Sequence, residues 1–151
     1  VYTFDVEPKF MEIAEKNIKK AGMSKYVTMH NVNLKKSRKL PVKDADLAVI
    51  DLGDPWEILP QVRKMLKSSG SVIAICPTMN QLEKLSVVFV ENEFTDIECT
   101  EHILRHIEAR DGKTRHSYRG IGHTTYLAMA RKVYFNKKRS KKKWNNWQQK
   151  H

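Results

Sequence analysis

The segment Ala45-Asp-Leu-Ala-Val-Ile50 constrains the fold of this chain more than any other. It is apolar at every position but Asp46 and runs straight into Asp51. A half-exposed strand alternates apolar and polar residues; a nearly unbroken apolar run is the pattern of a strand buried on both faces of a parallel sheet. Parallel neighbours need long crossover connections, usually helices. Helical segments are therefore required between the strands, and their spacing can be read along the chain.

Tyr2-Thr-Phe4 reads as the end of a strand, closed by Asp5. Pro8 opens a helix at its first turn, where the missing N–H costs nothing. Phe10, Ile13, Ala14, Ile18 and Ala21 then recur at helical spacing, and Gly22 closes the helix. Tyr26–Val32 alternates as a strand, and Asn31, Asn33 and the lysines that follow make a polar loop. After the strand Ala45–Leu52, Gly53-Asp54-Pro55-Trp56 breaks the run. A helix is predicted from about Trp56 to Lys67, with Ile58, Leu59, Val62 and Leu66 inward and Ser68-Ser69-Gly70 as its stop. Ser71–Cys76 is a second buried strand ended by Pro77. Thr78 can cap a helix from Asn80 to about Glu91, with Leu82, Leu85, Val88 and Phe89 inward. Thr95–Ile107 alternates as a long strand, Arg110–Gly122 reads as a loop, and His123–Arg131 is a final strand. Alternating strands and amphipathic helices mean an α/β sheet wound by right-handed crossovers. Two last strands without a helix between them suggest a terminal antiparallel hairpin.

The 151 residues fit one domain. No apolar run approaches the roughly 18 residues of a membrane span, and no signal peptide opens the chain. Cys76 and Cys99 lie 23 positions apart with no CxxC, so a disulfide framework or zinc knuckle is not expected, and the composition suits a reducing cytosol. The net charge is +11, but residues 132–151 hold eight Lys/Arg and no acid; without them 20 basic face 17 acidic residues. A basic tail, predicted to be disordered over 133–151, suits an anionic partner such as nucleic acid, or serves only solubility. Arg105, Arg110, Lys113, Arg115 and Arg119 form a second basic region, either a solvated face or a phosphate contact. His102 and His106 would lie about 13 Å apart along one strand, and no other histidine has partners at ligand spacing, so no metal site is expected. Neither GxSxG, HExxH nor a Walker loop is present.

Open α/β sheets bind ligands at the carboxyl ends of their strands. Those ends offer Asp5, Asn31 to Asn33, Asp51 with Asp54-Pro55-Trp56, and Cys76-Pro77-Thr78. A carboxylate at Asp5 can take both hydroxyls of a ribose, or complement the dipole of the helix that follows. Asp51 stands where the chain leaves the sheet, a costly place for a carboxylate unless something polar meets it. Asp54, before Pro55, is the better helix cap, which leaves Asp51 freer for function. Trp56 either stacks on a base or fills a groove between helix and sheet.

Four motifs, Tyr2-Thr-Phe-Asp5-Val-Glu-Pro8, Asp51-Leu-Gly-Asp-Pro-Trp56, Pro77-Thr-Met-Asn-Gln81 and Gly122-His-Thr-Thr-Tyr-Leu127, together resemble the tRNA (adenine-N1)-methyltransferases of the TrmI type. The resemblance runs from residue 1 to about Lys132. It implies the last six strands of a seven-stranded, Rossmann-like class I methyltransferase sheet with an antiparallel terminal hairpin; the first strand and its glycine-rich loop would precede Val1. Residues 1–132 would form the C-terminal part of the catalytic domain. The implied reaction moves a methyl group from S-adenosyl-L-methionine to N1 of adenine 58 of the tRNA T-loop, and in some members to purine 57. The implied assembly is a cytoplasmic homotetramer with tRNA as partner and neither metal nor membrane. By the same resemblance Asp51 is the catalytic aspartate, also close to the cofactor. Asp5 holds the cofactor ribose, and Asn33 stands beside its adenine, where relatives often carry an acid. Ile75 occupies a position where relatives often place an aromatic residue. Trp56, Pro77, Asn80, Gln81, His123 and Thr124 are implied on the substrate side.

Three other readings compete. Asp54-Pro55-Trp56 is similar to the Asp/Asn-Pro-Pro-aromatic motif of amino-group methyltransferases, but lacks its second proline. A non-catalytic subunit would bind tRNA beside an active chain, though an intact Asp51 speaks against it. A plain basic RNA-binding domain would bind RNA without any dependence on cofactor.

Overall fold

In the computed structural model, residues 1–37, 40–117 and 124–133 are described. His123 and, beyond Val133, the basic tail lie outside them. Strand β1 (Tyr2–Asp5) leads through helix α1 (Pro8–Lys20) to β2 (Thr28–Asn31). The two strands pair in parallel, Tyr2 with Thr28 through Asp5 with Asn31. Strand β3 (Ala45–Ile50) leads through a 3-10 turn (Pro55–Ile58) and helix α2 (Leu59–Met65) to β4 (Leu66–Cys76), again in parallel, with Ile50 opposite Ala74. Helix α3 (Met79–Glu91) precedes β5 (Phe94–Glu101), then come the short strands β6 (Ile107–Glu108) and β7 (Arg115–His116), and last β8 (Tyr126–Lys132). The larger sheet runs β3-β4-β8-β5. β8 is antiparallel to both neighbours, so the terminal antiparallel pair read from the sequence is present, with β8 inserted beside β4.

The core lies where α2 and α3 meet this sheet. Leu59, Val72, Ala74, Cys76, Leu85, Phe89 and Ala128 are wholly inaccessible. Phe89 meets Phe94 edge to face at 5.5 Å between ring centroids. Arg63 ties α2 to the far end of α3: its Nε donates to the Asn92 carbonyl at 2.8 Å and its Nη2 pairs with Glu93 at 2.6 Å.

Several expectations give way to tertiary structure. The helix predicted over 56–67 is split, a 3-10 turn followed by α2, and Leu66 already belongs to β4. Its apolar positions still point inward, because Ile58, Leu59, Val62 and Leu66 are all buried. The early entry into the sheet bends at Ser69, whose φ is 63°, and the ladder jumps from Ala45–Leu66 to Leu47–Ser71. Gly70 is required there: a Cβ on it would lie 3.0 Å from the carbonyl oxygens of Ala45 and Lys67. The Lys132 ammonium donates to the Leu66 carbonyl at the same place. The long strand expected over 95–107 stops at Glu101, and Asp96, at φ 51°, interrupts its ladder. Part of the expected loop instead pairs, Ile107 with His116 and Glu108 with Arg115.

Burial corrects two further readings. β3 is an edge strand of its sheet, with Ile50 buried but Leu47 and Val49 50% and 63% exposed; among the described residues nothing covers that face. No residue of α1 is buried either, since a pair of four-residue strands is too small to cover an amphipathic helix.

Replacing Phe89 by Ala should cost about 3–5 kcal/mol through the cavity it leaves, and Gly70→Ala about 1–3 kcal/mol through crowding against backbone oxygens. Urea unfolding monitored by circular dichroism reads both.

Candidate active site

The two strands of each parallel pair end on the same side, and the residues past those ends are the candidates for a site. Asp5, half-buried at the end of β1, accepts a hydrogen bond at Oδ1 from the Glu7 N–H at 2.7 Å. Its carbonyl accepts from Asn31 Nδ2 at 3.0 Å and from the Val32 N–H at 3.1 Å, locking the ends of β1 and β2 together. Asn33 folds its own turn, its Oδ1 accepting from the Lys35 N–H at 2.9 Å.

Asp51 follows β3 directly and is exposed. Among the described residues no hydrogen-bond or ion-pair partner meets its carboxylate. Asp54 takes the N-cap position of the 3-10 turn, yet its side chain makes no capping bond; only its carbonyl is used, by the Glu57 N–H at 3.2 Å. The loop is anchored further along. Lys35 pairs with Glu57 at 2.5 Å and joins the segment after β2 to the loop after β3. The hydrogen bond to Glu57, with a smaller contribution from Asp54, holds the Lys35 ammonium above its ordinary range. Trp56 packs against the core, and Lys84 Nζ sits 3.8 Å from its ring centroid.

Beyond β4, Pro77 and Asn80 are exposed. Thr78 and Gln81 form a capping box at the start of α3. The Gln81 N–H donates to Thr78 Oγ1 at 3.3 Å, and Gln81 Oε1 accepts from the Thr78 N–H at 3.1 Å and from its hydroxyl at 2.9 Å. Gln81 Nε2 donates to the Gly53 carbonyl at 2.8 Å. Ile75 is half-buried opposite Leu127. Thr124 donates to Glu101 and pins the entry of β8 to the end of β5. Burial pushes the Cys76 thiol up, as suits a core residue. Among the described residues no three His, Cys, Asp or Glu side chains gather as metal ligands, and no helix is long and apolar enough to cross a membrane.

Lys35, Glu57 and Lys84 were not singled out in the sequence. Lys84 follows Gln81 by three positions, the spacing that shares a helix face, so that signal was available. The Lys35–Glu57 pair joins two loops and has no local signature. The strand ends thus offer acceptors, the carboxylates of Asp5 and Asp51. Such a set suits hydroxyl and amino groups.

Solved structures with the same architecture include methyltransferases. A SAM-dependent O-methyltransferase from Thermotoga maritima matches 90% of the chain with TM-score 0.82 and 28% identity, the match covering 51% of that protein. The tRNA (m1A58) methyltransferase TrmI from Aquifex aeolicus matches 89% with TM-score 0.78 and 32% identity, over 54% of its length. The fold is the Rossmann-like methyltransferase fold. By sequence the chain is 32% identical over 155 residues to the tRNA (adenine(57)-N(1)/adenine(58)-N(1))-methyltransferase TrmI of Methanocaldococcus jannaschii, covering 87% of this chain and 55% of that protein. It is 21% identical over 114 residues to the catalytic subunit trmt61a of a Dictyostelium discoideum tRNA (adenine(58)-N(1))-methyltransferase, covering 73% of this chain and 36% of that one. The family model described as tRNA methyltransferase complex GCD14 subunit matches residues 1–151. The chain belongs to this family of tRNA methyltransferase subunits. It spans about half the length, or less, of the curated relatives it matches.

Thr78→Ala, which removes the cap of α3, should destabilise the protein by about 1 kcal/mol, and Thr78→Ser by a fraction of that. Thermal unfolding of the two variants side by side checks the ranking.

Proposed function

We propose that the protein transfers a methyl group from S-adenosyl-L-methionine to N1 of adenine 58 in the T-loop of tRNA, with purine 57 as a further target. The observation that carries this reading is an exposed Asp51 carboxylate at the end of β3, without a partner among the described residues, in a chain of a tRNA methyltransferase family.

The residues present fit the cofactor. Asp5 commits one oxygen to Glu7 and retains acceptor capacity for ribose hydroxyls. Asn33 commits its oxygen to Lys35 and keeps an NH2 group to donate beside an adenine ring. When bound, S-adenosyl-L-methionine supplies a methyl group on a positively charged sulfur, already an excellent electrophile. The protein's task is then chiefly positioning. Asp51 accepts from the N6 amino group of the target adenine and so orients N1. The carboxylate stabilises the positive charge that develops on the ring, and it can take the N6 proton. The target base is stacked inside folded tRNA and must leave the stack to reach Asp51. On this reading Trp56, Pro77, Asn80 and Thr124 are on the substrate side.

Residues 1–132 are then the C-terminal part of the catalytic domain, and 133–151 a basic tail that holds the RNA backbone. The assembly on this reading is a homotetramer in the cytoplasm.

Transfer of labelled methyl to a tRNA transcript by the complete protein, with the modified position mapped, tests the proposal. Asp51→Ala should lower the rate about 10²- to 10⁴-fold, and a transcript lacking adenine 58 should lose the label at that site. Asp5→Ala should raise the KM for S-adenosyl-L-methionine. Tight tRNA binding without methylation by the unaltered protein would favour a non-catalytic subunit.

A further inference from the structure

Gln81 stands between two strand ends and spends nearly all its hydrogen-bonding capacity there. Its oxygen takes two bonds from Thr78, and its NH2 group donates to the Gly53 carbonyl at 2.8 Å. A primary amide offers two donors and two acceptor sites, so three of the four are already used within the protein. Little remains for a substrate contact.

The target of the third bond is informative. Gly53 lies two residues past Asp51, and the ladder between β3 and β4 ends at the pair Ile50–Ala74. Beyond that pair the chain carrying Asp51 is exposed through Asp54. The Gln81 bond is where this exposed stretch is fastened to α3. Lys84, one turn further along α3, repeats the attachment by lying over Trp56. Thr78 holds the Gln81 side chain from its other end, so the amide is oriented before it meets the loop.

We propose that Gln81 is a positioning residue for Asp51: by binding the Gly53 carbonyl it sets where the Asp51 carboxylate stands relative to the start of α3. The inference rests on the proposed role of Asp51 in methyl transfer and adds a second residue, acting through the backbone, to that role.

Gln81→Glu separates the two tasks of the side chain. A carboxylate keeps the shape and the acceptor oxygens that serve Thr78, and its charge is favourable in the first turn of a helix. It has no N–H to offer Gly53 when ionised. The experiment uses the complete protein with S-adenosyl-L-methionine and a tRNA transcript, and compares Gln81→Glu with Asp51→Ala. The expected result for Gln81→Glu is a kcat lower by about ten- to a hundredfold, with the KM for tRNA nearly unchanged and the melting temperature retained. Amide hydrogen exchange should quicken over residues 51–57 while the first turn of α3 keeps its protection, a readout that needs no activity. A raised KM for tRNA with unchanged kcat would make Gln81 a substrate contact and overturn the proposal. So would exchange over 51–57 that matches the unaltered protein. Full activity in Gln81→Glu alongside an inactive Asp51→Ala would remove the positioning role alone. Full activity in Asp51→Ala would remove the role of Asp51 and this inference with it.

Discussion

β3 and β4 run side by side in the same direction, Ile50 facing Ala74, and the site depends on that pairing. Two parallel strands finish on the same edge of a sheet, so the loop after β3 and the start of α3 must be neighbours. An antiparallel pair would have sent Asp51 and Thr78 to opposite ends. The pairing is held by burial: Val72, Ala74 and Cys76 of β4 are wholly inaccessible beneath Leu85 and Phe89 of α3 and beside Ala128 of β8. Apolar burial contributes about 25 cal/mol per Å². Together these side chains belong to the continuous apolar core of the described residues, and the strand-end loops are carried on its edge.

On that frame the strand-end loops are tied to one another by polar contacts that bypass Asp51. Lys35 reaches Glu57, Lys84 covers Trp56, and Gln81 binds Gly53. The exposed ion pair adds little to stability, but with the other two contacts it restricts where the loop can lie. Asp51 itself is left without a partner among the described residues, which is the condition under which a carboxylate can meet an incoming amino group. Asp5 is different. It is half engaged, one oxygen holding the turn into α1 and the rest available.

The strands and helices legible in the sequence were those with a local cause. Thr78 followed by Gln81 is a capping box, and α3 begins there. Pro8 and Gly22 bracket α1. Elements went astray where the cause was distant. The helix predicted to Lys67 ends early because Leu66 and Gly70 are drawn against Ala45 of β3. The strand predicted to Ile107 ends at Glu101 because its partner β8 begins opposite it, at Tyr126. Leu47 and Val49 read as buried because an apolar run carries no information on what covers it.

The sequence by itself determined the order of the elements, the α/β class and the residue types waiting at each strand end. Periodicity, proline, glycine and capping residues act over a few positions, and they are present in the chain whatever surrounds it. Only the tertiary structure decided that β8 lies between β4 and β5, that Gln81 reaches across to Gly53, and that Lys35 meets Glu57. Those contacts join residues 22 or more positions apart. They exist because burial of a shared core brings distant loops to one edge, and no local pattern of residues encodes that distance.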